Sequence, residues 1–294
     1  MGGVICLISV LITALSCQST SLDDVSEDNA GKKVMHFNVK GYTITNFEST
    51  ADVASSQTKA TSTTDVTDNL LLGVFDKDGN MVGEPTIQAK GDEDYGTFSY
   101  TLNYGRYTIL AIGWNGTMTC NVNSLNNISF SEQWVPHAFM SRQNIVVSES
   151  YSDTRTITMG RCVARFEIGF NDAPNYPTDL SKFVVSISGA GNTLNSEDGF
   201  CAARQNYTRE LTINNPSTLK NIAVYCFLPA EESLVTFNVD AQDSEGNSIT
   251  SRSFTDVPMK INQITRYTGY FFSASATDNV IFNNEYSGTI EKTF

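Results

Sequence analysis

Histidine is nearly missing from this chain. Its 294 residues hold two, His36 and His137. Neither stands at a metal-ligand or triad spacing, and no H-E-x-x-H, G-x-S-x-G or P-loop pattern occurs. His36 alternates on a strand-like face and His137 follows Pro136, so neither is placed as a general base. Positive charge is scarce as well. Nineteen Lys and Arg face 32 Asp and Glu, a formal net charge of −13. Such a chain repels phosphate backbones, and no nucleic-acid partner is expected. Also missing are a C-x-x-C pair and any amphipathic helical pattern of three turns or more. The expectation is a non-enzymatic protein with no catalytic residue, no metal and no cofactor.

Long apolar runs are missing too, save one at the front. Residues 1–16 are uncharged and mostly apolar, and they end in Ala14-Leu15-Ser16-Cys17. That is shorter than the about 20 residues a bilayer-spanning helix takes, and has the length of a secretory signal. Its end resembles a bacterial lipobox, where the signal is cut before a cysteine whose thiol then carries diacylglycerol. Residues 1–16 are therefore expected to be removed and Cys17 to carry the lipid, placing the protein at a cell envelope. Residues 17–33 are polar and acidic after Cys17 and read as a flexible tether. With Cys6 lost and Cys17 lipidated, Cys120, Cys162, Cys201 and Cys226 remain. Export permits disulfides among them, while Cys162 and Cys226 sit in apolar runs that suit free buried thiols equally.

From residue 34 onward the pattern alternates with period two. Met35, Phe37 and Val39, then Phe98, Tyr100 and Leu102, fall on alternate positions. So do Ala164, Phe166, Ile168 and Phe170, and Val235, Phe237 and Val239. Alternation gives a strand one dry and one wet face. Turn signals separate the strands at Asp78-Gly79-Asn80, Asn103-Tyr104-Gly105, Glu197-Asp198-Gly199 and Glu245-Gly246-Asn247. The fold class is all-β, with β-sandwich architecture. Ile222–Leu228, continuously apolar, reads as a central strand. The polar stretch Ser148–Arg155 reads as a boundary between domains at 34–155 and 156–294. Ser49–Asp68, rich in Ser, Thr and Ala, reads as a long loop after the first strand.

Few residues are candidates for chemistry. Asp76-Lys77-Asp78-Gly79-Asn80 has the start of a calcium loop without its twelfth-position glutamate, and reads first as a hairpin turn. Nothing nominates a carboxylate pair for glycoside hydrolysis. Trp114 and Trp134 have polar neighbours, and aromatic rings so placed stack on sugars; core packing is the competing role.

Three stretches together resemble the fimbrillin family, subunits of the type V pilus of Gram-negative anaerobes. They are Asn69–Val82 (NLLLGVFDKDGNMV), Asn103–Ala111 (NYGRYTILA) and Ile157–Phe170 (ITMGRCVARFEIGF), with Val257–Phe272 similar in character. The resemblance covers residues 34–294. It implies two transthyretin-like Greek-key β-sandwich domains in tandem, and other pilin-like subunits as partners through β-strand exchange. In that family a protease cuts in the loop after the first strand, and a strand from another subunit fills the groove. Here the first strand would be Val34–Phe47. The loop holds no Arg, and its only basic residue is Lys59, the expected processing site. Asn279–Phe294 is either a donor strand or the completion of the second domain. A host or bacterial surface ligand is a further expected partner. The competing reading is a carbohydrate-binding surface lipoprotein serving glycan capture.

Overall fold

The computed structural model describes residues 31–43, 66–172, 175–273, 282–283 and 289–293. Among them the chain is all-β, with a single 3-10 turn at Pro216–Thr218. The first sheet takes β1 (Lys32–Thr43), β2 (Asn69–Asp76), β3 (Thr86–Ala89), β4 (Thr97–Asn103) and β5 (Gly105–Trp114). A separate hairpin of β6 (Cys120–Ser124) and β7 (Asn127–Phe130) comes next, before β8 (Ala138–Val147) and β9 (Thr154–Arg161) complete the sheet. Its order is β3-β2-β5-β8-β9-β1-β4. Only two residue pairs join β8 to β9, Phe139 with Arg161 and Met140 with Gly160. The sheet folds over at this narrow join. Met35, Phe37 and Val39 of β1 then share one core with Leu70, Leu72 and Val74 of β2 and Ile157 and Met159 of β9. Burying one such side chain contributes about 1.5–3 kcal/mol.

The rest of the chain builds two facing sheets. Their strands are β10 (Ala164–Phe170), β11 (Lys182–Ser188), β12 (Tyr207–Thr212), β13 (Asn221–Cys226), β14 (Glu232–Gln242), β15 (Ser248–Lys260), β16 (Ile264–Gly269), β17 (Phe282–Asn283) and β18 (Thr289–Thr293). One sheet runs β13-β10-β16-β18-β17, the other β12-β11-β14-β15. Aromatic pairs join them. Phe166 stacks on Phe237 at 4.1 Å and Phe170 on Phe183 at 5.4 Å. β2 is buried on both faces, which accounts for its unbroken run of apolar residues. Its second face, with Leu71 and Phe75, joins Ile128, Phe130 and Val135 in a core continuous with that of the two facing sheets.

Three expectations change. The chain leaves the first sheet at Cys162–Val163, because β9 stays in that sheet; Ser148–Arg155 is mainly the surface connection from β8 to β9. β13, expected at the centre of a sheet, lies at an edge. Its apolar character comes from cover: Val135 bridges to Tyr225, and Gly191 to Phe227 just beyond the strand. The first strand begins at Lys32, and residues 44–65 of its expected end and adjoining loop lie outside the described residues.

Two hairpins share one turn chemistry. Asp76 N–H donates to Asn80 O and Gly79 N–H to Asp76 O. Asp76 Oδ1 accepts from Asp78 N (2.9 Å) and Asn80 N (2.8 Å), and Oδ2 from Asn80 Nδ2 (3.2 Å). Asp243, Glu245, Gly246 and Asn247 repeat the same five bonds between β14 and β15. Gly79 and Gly246, at φ 81° and 89°, supply the left-handed residue each turn needs. Hydrogen bonds hold both carboxyls below the usual range, led by the Asn80 backbone for Asp76 and the Asn247 side chain for Asp243. The Asp76 oxygens serve the turn, so the segment reads as a hairpin.

Candidate functional site

Cys17 and Lys59, the expected lipidation and processing positions, lie outside the described residues. Trp114 ends β5 and is 1% exposed. Its Nε1–H donates to Met118 O at 2.8 Å, and its ring lies 6.0 Å from Phe130. A buried indole offers no face to a sugar, so its role is packing. Trp134 is half-buried; Nε1–H donates to Glu132 Oε2 at 2.8 Å, and the Arg209 guanidinium sits 3.8 Å over the ring. One face and the polar edge are thus engaged within the protein.

The most consequential placement is that of β1. It lies between β4, antiparallel with Phe37 opposite Phe98, and β9, parallel with Phe37 opposite Arg155. Strands therefore pair with it on both sides, and its three core side chains fill one continuous trough. Without β1, both β4 and β9 would present a row of unpaired backbone groups flanking an apolar groove. Such a groove is a template for another strand: the backbone provides affinity and alternate pockets provide register. At the other end of the chain, β18 lies parallel to β16 over five residue pairs, with Ile264 opposite Thr289. The C-terminal run thus pairs within this chain, at a sheet flank carrying only the two-residue strand β17 beyond it.

A polar seam joins the first sheet to the rest. His137 precedes β8 and stacks flat on Tyr225 of β13 at 5.3 Å. Arg161 Nε donates to His137 Nε2 at 2.8 Å, and Arg161 Nη1 to Asn262 Oδ1 at 2.5 Å. An accepting Nε2 requires the neutral ring. Burial first, then the charges of Arg161 and Arg165, holds His137 down to about 3. The unfolded chain titrates this residue near 6.5. Above that pH the ring is neutral in both states and stability is complete. As pH falls from 6.5 toward 3, the unfolded chain binds a proton that the fold refuses, and stability drops about 1.4 kcal/mol per pH unit. Unfolding free energies from urea curves should fall by about 2 kcal/mol between pH 7 and pH 5 in the native chain. His137→Gln should flatten that slope; equal slopes in the two would remove His137 as its source.

The four thiols among the described residues are not activated as nucleophiles. Cys120, Cys162, Cys201 and Cys226 are free thiols, and all but Cys201 are buried. Burial pushes Cys120 and Cys162 up to about 12 and raises Cys226 as well. Such thiols stay protonated and inert at neutral pH. His36, on β1, shares a hydrogen bond with Ser99 Oγ at 2.8 Å. Among the described residues, no three His, Cys, Asp or Glu side chains group as metal ligands.

A family model described as a family of unknown function (DUF6562) matches residues 37–294. No curated protein sequence matches. Among solved structures, a candidate adhesin from Bacteroides ovatus superposes with a TM-score of 0.50 at 12% identity, covering 78% of this chain and 79% of its own. A candidate polysaccharide binding protein from Bacteroides thetaiotaomicron superposes at 0.46, with 13% identity and coverage of 74% and 79%. The fimbrial anchor protein Mfa2 from Porphyromonas gingivalis does so at 0.40, with 12% identity and coverage of 76% and 83%. The likeness to the Bacteroides ovatus protein is one of fold, and the fimbrillin-like resemblance read from the sequence is supported.

Proposed function

The chain belongs to the DUF6562 family of unknown function, and from that premise and its fold we propose that it is a non-enzymatic, fimbrillin-like surface lipoprotein, a pilus subunit or cell-adhesion component that assembles by strand exchange. The observation that carries the reading is the position of β1, paired on both sides and continuing directly into the segment that holds Lys59. Cutting that segment would free β1 from all but its own sheet bonds. Loss of the strand would open the groove between β4 and β9, and a strand from a second subunit would fill it. Cys17 would carry the lipid that holds the protein at the outer membrane. The sandwich units on either side of Cys162–Val163 act as two domains, with the work done at strand edges.

Limited trypsin treatment of the purified mature protein tests this. The expected product begins at Ala60 and forms a ladder on an unboiled denaturing gel. Cleavage after Lys59 with no ladder would reject strand exchange by this route. Cleavage elsewhere, with the 44–65 segment intact, would reject Lys59 as the processing site.

A further inference from the structure

An open cleft of about 700 Å³ lies where the turn after β7 meets the outer face of the β12-β11-β14-β15 sheet. Sheet register lines up its floor. Ser186 of β11 stands opposite Thr208 of β12 on one side and Asn238 of β14 on the other. Ser188 extends this floor, and Gln133 and Asn192 close one wall. Inward neighbours Val185 and Ile187 are core residues, so alternation alone turns the hydroxyls and amide outward.

The wall is built around a buried amide. Asn192 is 6% exposed. Its Nδ2 donates to Gln133 O at 2.7 Å, a carbonyl set by a left-handed backbone at φ 58°. Its Oδ1 has no partner, although the residue lines the cleft. A buried acceptor without a protein donor is unfavourable, and a water or a ligand hydroxyl reaching it from the cleft relieves that cost. Next to the wall, the contacts of Trp134 with Glu132 and Arg209 hold the 131–134 turn in place.

We propose that this cleft is a subsite for a neutral oligosaccharide, with Asn192 Oδ1 accepting a sugar hydroxyl and Ser186, Ser188 and Thr208 exchanging hydrogen bonds with others. The lining decides the ligand class. Glu132 is its only charged residue, and its carboxylate already accepts from Trp134. An anion finds no cation there, and a metal ion finds no cluster of carboxylates. A peptide anchor finds no exposed apolar pocket, since the apolar lining residues Ile187 and Tyr207 are buried. Hydroxyls and amides both donate and accept, as sugar hydroxyls do. With no exposed aromatic ring in the lining, each site binds weakly, and repetition along an assembled fibre supplies avidity. The inference deepens the adhesion reading and rests on it.

The test titrates isotope-labelled mature protein with maltoheptaose, mannohexaose and laminarihexaose, using hexagalacturonate as the acidic control, and follows backbone amide signals. At least one neutral sugar should shift amides of residues 186–192 and 205–208 at millimolar concentration. Ser186→Ala combined with Thr208→Val, and separately Asn192→Ala, should each weaken that binding about tenfold. Both substituted positions of the double variant lie on the wet face, so it should melt with the native chain. The cleft is rejected if no neutral sugar moves these amides, if shifts fall elsewhere, if the double variant binds unchanged, or if the acidic hexamer binds equally well. The trypsin ladder is run on the same variants. A normal ladder without sugar binding sinks the cleft alone, whereas a missing ladder with sugar binding intact sinks the subunit reading alone.

Discussion

Asp172→Ala is expected to lower folding stability by about 3–6 kcal/mol. Asp172 is 2% exposed and stands just beyond β10. Its Oδ2 accepts from Phe271 N at 2.6 Å. Its Oδ1 accepts from Phe272 N (3.0 Å), Ser273 N (3.1 Å) and Ser273 Oγ (3.2 Å). One carboxylate therefore satisfies three successive backbone N–H groups about a hundred residues away. The aromatic side chains of the same segment fix those groups in place. Phe271 is fully buried, 5.7 Å from Phe170 and 5.6 Å from Phe183, and Phe272 lies 5.8 Å from Tyr176. Alanine would strand the buried Phe271 N–H and leave the part-buried N–H groups of Phe272 and Ser273 without their acceptor. Each stranded group costs about 1–3 kcal/mol. Asp172→Asn keeps one acceptor and puts a donor against the other set, so about half the loss is expected. Urea unfolding with m-values measures both. A midpoint unchanged by alanine would show that this carboxylate does not hold residues 271–273.

Alternation in the sequence is enough to find the strands. Every dry position named in β1, β10 and β14 is buried, because one sheet face in each case meets a core. Tyr100 of β4 is half-buried for a reason its pattern hides: its hydroxyl donates to Leu72 O at 2.7 Å. The paired Asp-to-Asn turns are also visible, since their geometry is local. The point at which the chain changes sheets is not. β9 and β10 follow one another with only Cys162 and Val163 between them, both apolar and buried, so no polar turn marks the change. A search for polarity therefore stops at Ser148–Arg155. β13 misleads in the same way, because a strand edge covered by Val135 has the same composition as a central strand. The cleft leaves no trace at all. Gln133, Ser186, Asn192, Thr208 and Asn238 come from five separate segments; sheet register aligns Ser186, Thr208 and Asn238, and a long-range hydrogen bond joins Asn192 to Gln133. Tryptophan draws attention by its chemistry, but whether an indole is open depends on long-range packing, and Trp114 is closed by Phe130 and Met118.

Glu167→Ala is expected to cost about 2–4 kcal/mol, less than Asp172→Ala although its partners are charged. Glu167 sits on the outer face of β10 yet is 2% exposed. Arg165 Nη2 lies 2.6 Å from one carboxylate oxygen; Arg266 Nε and Asn221 Nδ2 approach the other at 2.8 and 3.0 Å. The three donors come from β10, β16 and β13, so a single carboxylate ties three adjacent strands together. Removing it leaves two guanidinium groups facing each other. Their side chains are 24% and 31% exposed, and turning outward relieves part of the repulsion, which Asp172's backbone donors cannot do. Glu167→Gln retains an acceptor and should lose about half as much. A triple replacement, Arg165→Met, Glu167→Leu and Arg266→Met, separates charge pairing from packing. If the triad's main effect is the penalty of leaving a partner unpaired, the triple variant should recover to within about 1 kcal/mol of the native chain. If it stays as unstable as Glu167→Ala, the ion pairs themselves stabilise the frame. β16 of that frame also carries β18, so the same variants should loosen the C-terminal strand. Amide exchange at residues 289–293 would then quicken in step with the loss of stability, and exchange that stays slow there would show that β18 holds to β16 independently of the triad.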